Sequence, residues 1–299
     1  DLQVLDKEST GVSWYPKPGS DNRFDSGASH TVDTSEGALV KAISQAKAGD
    51  VILLSPGLHL ADRTLIVDRP LTLRSADSEA RATIEFERTA LFEIADGGSL
   101  KLIDLDISGK SAPDAAGNTV IRTSRYSMLN NYMLLVQGTK VSDLNTNHSF
   151  NFFTVAKHTF ADRIELADST FSNITGHVLF LHQELEDLGR YNGEYIDINN
   201  VAFENIEGTV ADIYRGGTDE STFGPHFSMS NSRLQKVGSG KRNKAQASIR
   251  LHGVQMTDLH GNDLSHSQPV RIEQTVGEPQ LRMDDNKYVA TDSPEVREL

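Results

Sequence analysis

The sequence predicts an all-β protein: a single-stranded, right-handed parallel β-helix of about eight to ten coils with an N-terminal capping α-helix. Three observations carry this prediction. Short segments in one register recur every roughly 20 to 35 residues. Most are followed, after a turn residue, by a second short segment with apolar residues three apart. An amphipathic helix stands just before the first of them.

The register opens at Leu71, Leu100, Leu134, Ile164, Ile196, Phe227, Ile249 and Val270, each with an apolar residue two places on, at spacings of 29, 34, 30, 32, 31, 22 and 21. Four places after each start stands Ser75, Asp104, Gly138, Asp168, Asn200, Asn231, Gly253 or Gln274, mostly residues that turn a chain at low cost. The second segments present Val141 and Leu144, Phe171 and Ile174, Phe203 and Ile206, Leu234 and Val237, and Met256 and Leu259. A β-sandwich also gives many short strands with turns between them, but it does not explain a fixed internal template. Stacked coils about 4.8 Å apart put like residues in columns, apolar on apolar, with the Asx and Gly positions forming a polar ladder at one corner.

Ahead of the coils, SEGALVKAISQAKAG at 35–49 has helix logic. Ser35 is the expected N-cap with Glu36 in the first turn. Leu39, Ala42, Ile43 and Ala46 make one apolar face, and Gly49 is placed to end the helix. The open end of a spiral exposes apolar residues and unpaired backbone, so this helix reads as its lid. Residues 1–34, with Gly, Pro and the single tryptophan, read as an interdomain-type linker in which Trp14 and Tyr15 pack on the spiral or on a preceding domain. Residues 35–285 form the β-helix, and the acidic residues 286–299 a fraying tail.

The 299 residues carry a net charge of −13 and no cysteine. The acidity argues against nucleic acid, whose binding needs clustered Lys and Arg; KRNK at 241–244 reads as a solvated loop. Disulfides and thiolate metal sites are excluded. No apolar run approaches the roughly 20 residues that span a bilayer, and no signal peptide is visible in the residues given.

Stacked coils make a long outward face suited to a linear polymer. HVLFLHQ at 177–183 and TVADIYR at 209–215 lie equally far beyond Ile174 and Ile206 and should stack. An aspartate does not face an apolar interior unpaired, so Leu179, Leu181, Ala211 and Ile213 point inward and Val178, Phe180, His182, Val210, Asp212 and Tyr214 outward. His182 and Tyr214 become neighbours, with Arg215 ending its strand and Lys157 a candidate to extend the row. The loops 184–190 and 216–226 gather Glu184, Glu186, Asp187, Asp219 and Glu220; Asp219 and Glu220 are the candidate Ca²⁺ ligands, although acidic loops are usually just solvated and no calcium-loop motif is present. The candidate substrate-binding residues are His182, Asp212, Tyr214, Arg215 and His226.

SEGALVKAISQAKAGDVILLSPG at 35–57 and YNGEYIDINNVAFENIEGTVADIYRGGTDESTFGPH at 191–226 resemble the C-terminal β-helix of two-domain enzymes in polysaccharide lyase family six, the family of alginate lyases and chondroitinase B type enzymes. GVSWYPKP at 11–18 resembles the segment joining their two domains. The resemblance implies an N-terminal catalytic β-helix as partner domain, bearing a Lys base, an assisting Arg and a Ca²⁺ that neutralises the uronate carboxylate. It implies an acidic polysaccharide as substrate, β-elimination as reaction, a secreted or periplasmic bacterial location and a possible homodimer. No stretch here matches the catalytic Lys, Arg or Ca²⁺-ligand motifs of that first domain, so no catalytic role is carried over.

Three readings follow. The first is an accessory β-helix of an alginate lyase, contributing scaffold, substrate groove or oligomer contacts. The second is a self-sufficient uronate lyase with Tyr214, His182 or Lys157 as base and Arg215 as carboxylate clamp. The third is a non-enzymatic carbohydrate-binding β-helix.

Overall fold

Alternation of apolar and polar side chains sets the architecture. In the strand Ala161–Ala167 the side chains of Ile164 and Leu166 are wholly buried while Glu165 between them is half-buried, as the period of two along a strand requires. A computed structural model describes residues 23–126, 128–218, 224–275, 277 and 279–299. Among these the strands form three parallel sheets of ten, nine and nine members. The chain visits the sheets in rotation: Val51–Leu54 lies in the first, Gly57–Ala61 in the second and Leu65–Val67 in the third, after which Pro70–Ser75 pairs in parallel beside Val51–Leu54. This is the arrangement of a parallel β-helix, and its apolar core runs between the sheets.

The first six register positions stack as the sequence predicts, Leu71 on Leu100, then Leu134, Ile164, Ile196 and Phe227. The last two do not. Phe227 is followed in the first sheet by Thr257, and Ile249 and Val270 belong to the third sheet, where Ile249 sits on Ala211 and Val270 on Ile249. Met256 and Leu259 are accordingly in the first sheet, and Leu264 is the residue that follows Leu234 in the second.

The turn after the first sheet is a column of left-handed residues. Asp104, Asp168, Asn200 and Asn231 have φ of 54°, 49°, 53° and 51°, Gly138 has 59°, and Gly261 with 68° continues the column in place of Gly253. Asn and Asp tolerate this conformation better than other side-chain-bearing residues. The Asn200 amide also donates to Asp168 Oδ1 at 2.7 Å. In the core, Phe171 and Phe203 of the second sheet stack with ring centroids 5.4 Å apart, and Phe152 of the third sheet meets Phe171 edge-on at 4.9 Å.

The helix spans Ala38–Gln45, shorter than the sequence segment, and packs against the strands Ser29–Val32, Gly57–Ala61 and Leu65–Val67. Its N-cap is Gly37 at φ 74°, not Ser35, whose backbone N–H instead donates to Asp33 Oδ1. Leu39, Ile43 and Ala46 are buried as the apolar face predicts. The helix ends before Gly49, and Arg69 reaches back to donate to the carbonyls of Ile43 and Ala46, satisfying groups that a helix C-terminus leaves open.

Both ends differ from the sequence reading. The last residues of the expected linker are structured: Ser29–Val32 pairs with Val51–Leu54, and Asp25 on the first sheet bonds Thr72 and Lys101. Trp14 and Tyr15 lie outside the described residues. The expected fraying tail holds two paired strands, Lys287–Val289 and Glu295–Glu298, because Tyr288 and Val296 keep the alternation that docks them on Leu264 and Ile272.

Candidate functional site on the third sheet

Leu179, Leu181, Ala211 and Ile213 are buried, as the aspartate argument predicts. The positions between them form a row on the outer face, in strict register from Phe180 to Asp212, Arg250, Arg271 and Glu295. A second row runs from Tyr214 to His252, Glu273 and Arg297. Val178 and Val210 are corrections, since both are wholly buried. They precede the strand, where the chain is still turning and outward alternation has not begun.

His182 and Tyr214 are neighbours, with ring centroids 4.7 Å apart. They belong to a longer file of rings: His177 stacks on Phe180 at 4.6 Å, and Tyr214 stacks on His252 at 4.0 Å and 3° from parallel. The contacts of His177, Phe180 and His182 run along one coil, and those of His182 with Tyr214 and Tyr214 with His252 cross between coils. Two carboxylates hold the imidazoles. His182 Nδ1 lies 3.0 Å from Asp212 Oδ1, and His252 Nδ1 lies 2.6 Å from Glu273 Oε2. A neutral imidazole that donates through Nδ1 keeps Nε2 as its acceptor, and in His182 that nitrogen faces Arg250 Nη2 at 3.2 Å.

Arg250 completes the centre. Its Nε donates to Asp212 Oδ1 at 3.0 Å, and its Nη2 lies against both ring nitrogens of His182. The contact at Nδ1 competes with the Asp212 bond for one nitrogen. Donation from Nδ1 to the carboxylate is the arrangement favoured by charge, because an unprotonated Nδ1 would set its lone pair against the Asp212 oxygen. Burial opposes ionisation of Asp212, but the hydrogen bond from His182 and the charge of Arg250 outweigh it and hold the carboxyl below its usual range. Burial likewise disfavours protonation of His177, lowering it to about 4, with the positive Arg250 adding to the effect and Asp212 opposing it.

The other candidates lie elsewhere. Arg215 is wholly buried, donates from Nη1 to the Gly224 carbonyl at 2.7 Å and faces the Tyr191 ring. Its guanidinium thus braces a loop from within and is not open to a polymer. His226 is also buried, stacked on Tyr195 and 3.3 Å from Glu194. Lys157 is half exposed and pairs with Glu186 at 3.2 Å, a hydrogen bond and charge that hold the Glu186 carboxyl low. Counting on from the Thr154–Phe180 pair brings Ala156, not Lys157, opposite His182. Asp219 and Glu220 lie outside the described residues. Glu184 is buried and accepts from the His158 backbone, and Asp187 accepts from Thr218, so these carboxylates fasten loops. Among the described residues no group of three or more His, Asp or Glu could hold a metal ion.

The sequence reading missed Arg250, His252 and Glu273. The signal was present, since Ala-Asp-Ile-Tyr at 211–214, Ile-Arg-Leu-His at 249–252 and Val-Arg-Ile-Glu at 270–273 share one apolar-polar alternation. Assigning Ile249 and Val270 to the first sheet concealed it.

Over 99% of its length the chain superposes on the structure of the PL6 family alginate lyase AlyGC, with 42% sequence identity and a TM-score of 0.91. This chain is similar to part of a PL6 alginate lyase. It spans 40% of the AlyGC chain, and an arginine-to-alanine variant of AlyGC gives the same values. An alginate lyase from Paenibacillus sp. str. FPU-7 aligns over 90% of the chain at 13% identity and a TM-score of 0.45, too low to bear on either fold or function. No protein-family profile and no curated protein matches the chain.

Proposed function

We propose that this chain is the accessory β-helix of an exported PL6-type alginate lyase, in which it contributes scaffold and a polymer-facing sheet while elimination takes place on a preceding catalytic β-helix. The observation that carries this reading is the likeness to AlyGC at 42% identity over a stretch that makes up 40% of that longer chain. The partner domain, its Ca²⁺, the acidic polysaccharide, export from a bacterial cell and homodimer contacts belong to the same proposal. So does the lid role of the helix Ala38–Gln45, whose Leu39 and Ile43 would cover the first coil. The test is an elimination assay on alginate, following the absorbance of the unsaturated product. Turnover is expected from a polypeptide that includes the preceding β-helix and not from residues 1–299 alone; turnover by the chain alone overturns the accessory role.

One observation favours a second reading, a self-sufficient lyase: the Asp212–His182 pair with Arg250 on the same carboxylate and Tyr214 at 4.7 Å. His182 Nε2 would remove the proton on the carbon beside the uronate carboxylate, and Arg250 would stabilise the enolate-like charge. The carbon–oxygen bond to the leaving sugar then breaks, the carbon–carbon double bond forms, and the Tyr214 hydroxyl protonates the leaving oxygen. Product formation by the chain alone that is lost in Tyr214→Phe supports this reading, and its absence on every uronate polymer rules it out.

A further inference from the structure

The ring file on the third sheet has an unusual division of labour. His182 and His252 have each spent one nitrogen on a carboxylate, and the phenol between them has His252 stacked on one side and the tilted ring of His182 at 4.7 Å on the other. What remains points outward. Among the described residues the Tyr214 hydroxyl, His252 Nε2 and Arg250 Nη1 have no hydrogen-bond partner. The side chains of His182, Arg250 and His252 keep 21, 18 and 14% exposure, so these edges meet solvent although their bodies are packed. Such groups are fixed before any ligand arrives, which lowers the ordering cost of binding.

The chemistry selects the ligand. With His252 at 4.0 Å and His182 at 4.7 Å, the Tyr214 ring leaves no room for a sugar to stack flat on it as on an open aromatic platform. The free polar edges instead fall on two successive coils, Tyr214 on one and Arg250 with His252 on the next, about 4.8 Å apart, a step comparable with one pyranose unit of a 1,4-linked chain. Arg250 offers a cationic N–H pair suited to a carboxylate. The phenol and the free imidazole nitrogen suit sugar hydroxyls, since both accept and one also donates.

We propose that this edge is a non-catalytic subsite for an acidic 1,4-linked uronate oligosaccharide lying along the spiral axis, with Arg250 contacting a carboxylate and Tyr214 and His252 contacting hydroxyls of adjoining units. The subsite deepens the accessory reading and rests on its acidic polysaccharide.

Calorimetric titration of the whole chain with mannuronate and guluronate tetramers, and with a neutral glucose tetramer as control, tests it. Tyr214→Phe removes one hydroxyl and keeps the ring stack; Arg250→Lys keeps the charge beside Asp212 and removes the guanidinium fork. Binding of a uronate tetramer but not the glucose tetramer is expected, weakened about tenfold in each variant, as the loss of one well-made hydrogen bond implies. The imidazole resonances of His182 and His252 should shift on adding the uronate to the unmodified chain, a readout that needs no variant. No uronate binding, equal binding of the neutral sugar, or unchanged affinity in both variants overturns the subsite. The elimination assay on the longer polypeptide judges the lyase reading separately, so failure here leaves that reading standing.

Discussion

The side-chain amide of Asn200 donates to Asp168 Oδ1 at 2.7 Å, and both residues hold φ near 50° in the left-handed region. The two stand in successive coils, so a conformation that is costly for most side chains is rewarded by a bond along the spiral axis. Asn200→Ala should lower stability by about 1–2 kcal/mol, combining left-handed strain with the lost bond. Asn200→Gly removes the strain and should cost less. Urea unfolding of both variants measures the difference; an alanine variant as stable as the glycine one would show that the backbone conformation is of no consequence.

Phe171 is wholly buried, stacked on Phe203 of the next coil and met edge-on by Phe152 from the third sheet. Phe171→Ala leaves a cavity between two rings that the neighbouring coils hold apart, so a loss of about 3–5 kcal/mol is expected. Phe171→Leu should recover more than half of it. The check is the midpoint of denaturant unfolding, and a loss below about 1 kcal/mol would mean that the core collapses to fill the gap.

Asp212 is buried and relies on Arg250 and His182 for its charge. Arg250→Gln strands most of that charge, and a loss of about 3–5 kcal/mol is expected. Combining it with Asp212→Asn removes the charge as well, so the double variant should be more stable than Arg250→Gln alone. Additive losses in this cycle would show that the two residues do not interact.

His177 is neutral in the fold, its protonation pushed down to about 4 by burial first and by Arg250 second, while an unfolded histidine titrates near 6.5. The unfolded chain therefore binds the extra proton. The stability from the neutral ring is fully present above about pH 6.5 and is lost as pH falls toward 4, by at most about 1.4 kcal/mol per pH unit. Asp212, whose carboxyl is held low, loses its contribution only below about pH 4. Unfolding free energies at pH 7, 6 and 5 should fall more steeply for the native chain than for His177→Gln; parallel slopes would contradict a buried neutral ring.

Six of the eight register positions were legible because each opens with a large apolar residue and five of them close with Asp, Asn or Gly at a left-handed turn. The seventh was lost at Thr257. This threonine occupies a position on the stack below Phe227 and is buried without being apolar, while Ile249 and Gly253 happen to imitate the pattern from a different sheet. That single slip also concealed the site, since Arg250 and His252 can be recognised as neighbours of Asp212 and Tyr214 only when Ile249 is placed on Ala211. The burial of Arg215 was illegible for another reason. A charged residue after an alternating strand reads as a surface group, and its acceptor, the Gly224 carbonyl, comes from a loop whose path the local pattern does not specify.

Strict coil-on-coil pairing gives the molecule a grammar of lengths. A duplication or deletion of one full turn of the spiral would leave every remaining column in step and simply make the rod longer or shorter. An insertion of one residue inside a strand would turn every side chain beyond it to the opposite face, placing Asp212 in the core and Ile213 on the surface. Such a chain can therefore vary in whole rungs and in the loops at its corners, where the segments 184–190 and 216–226 already differ in size from those of neighbouring coils, while the strands themselves stay fixed in phase.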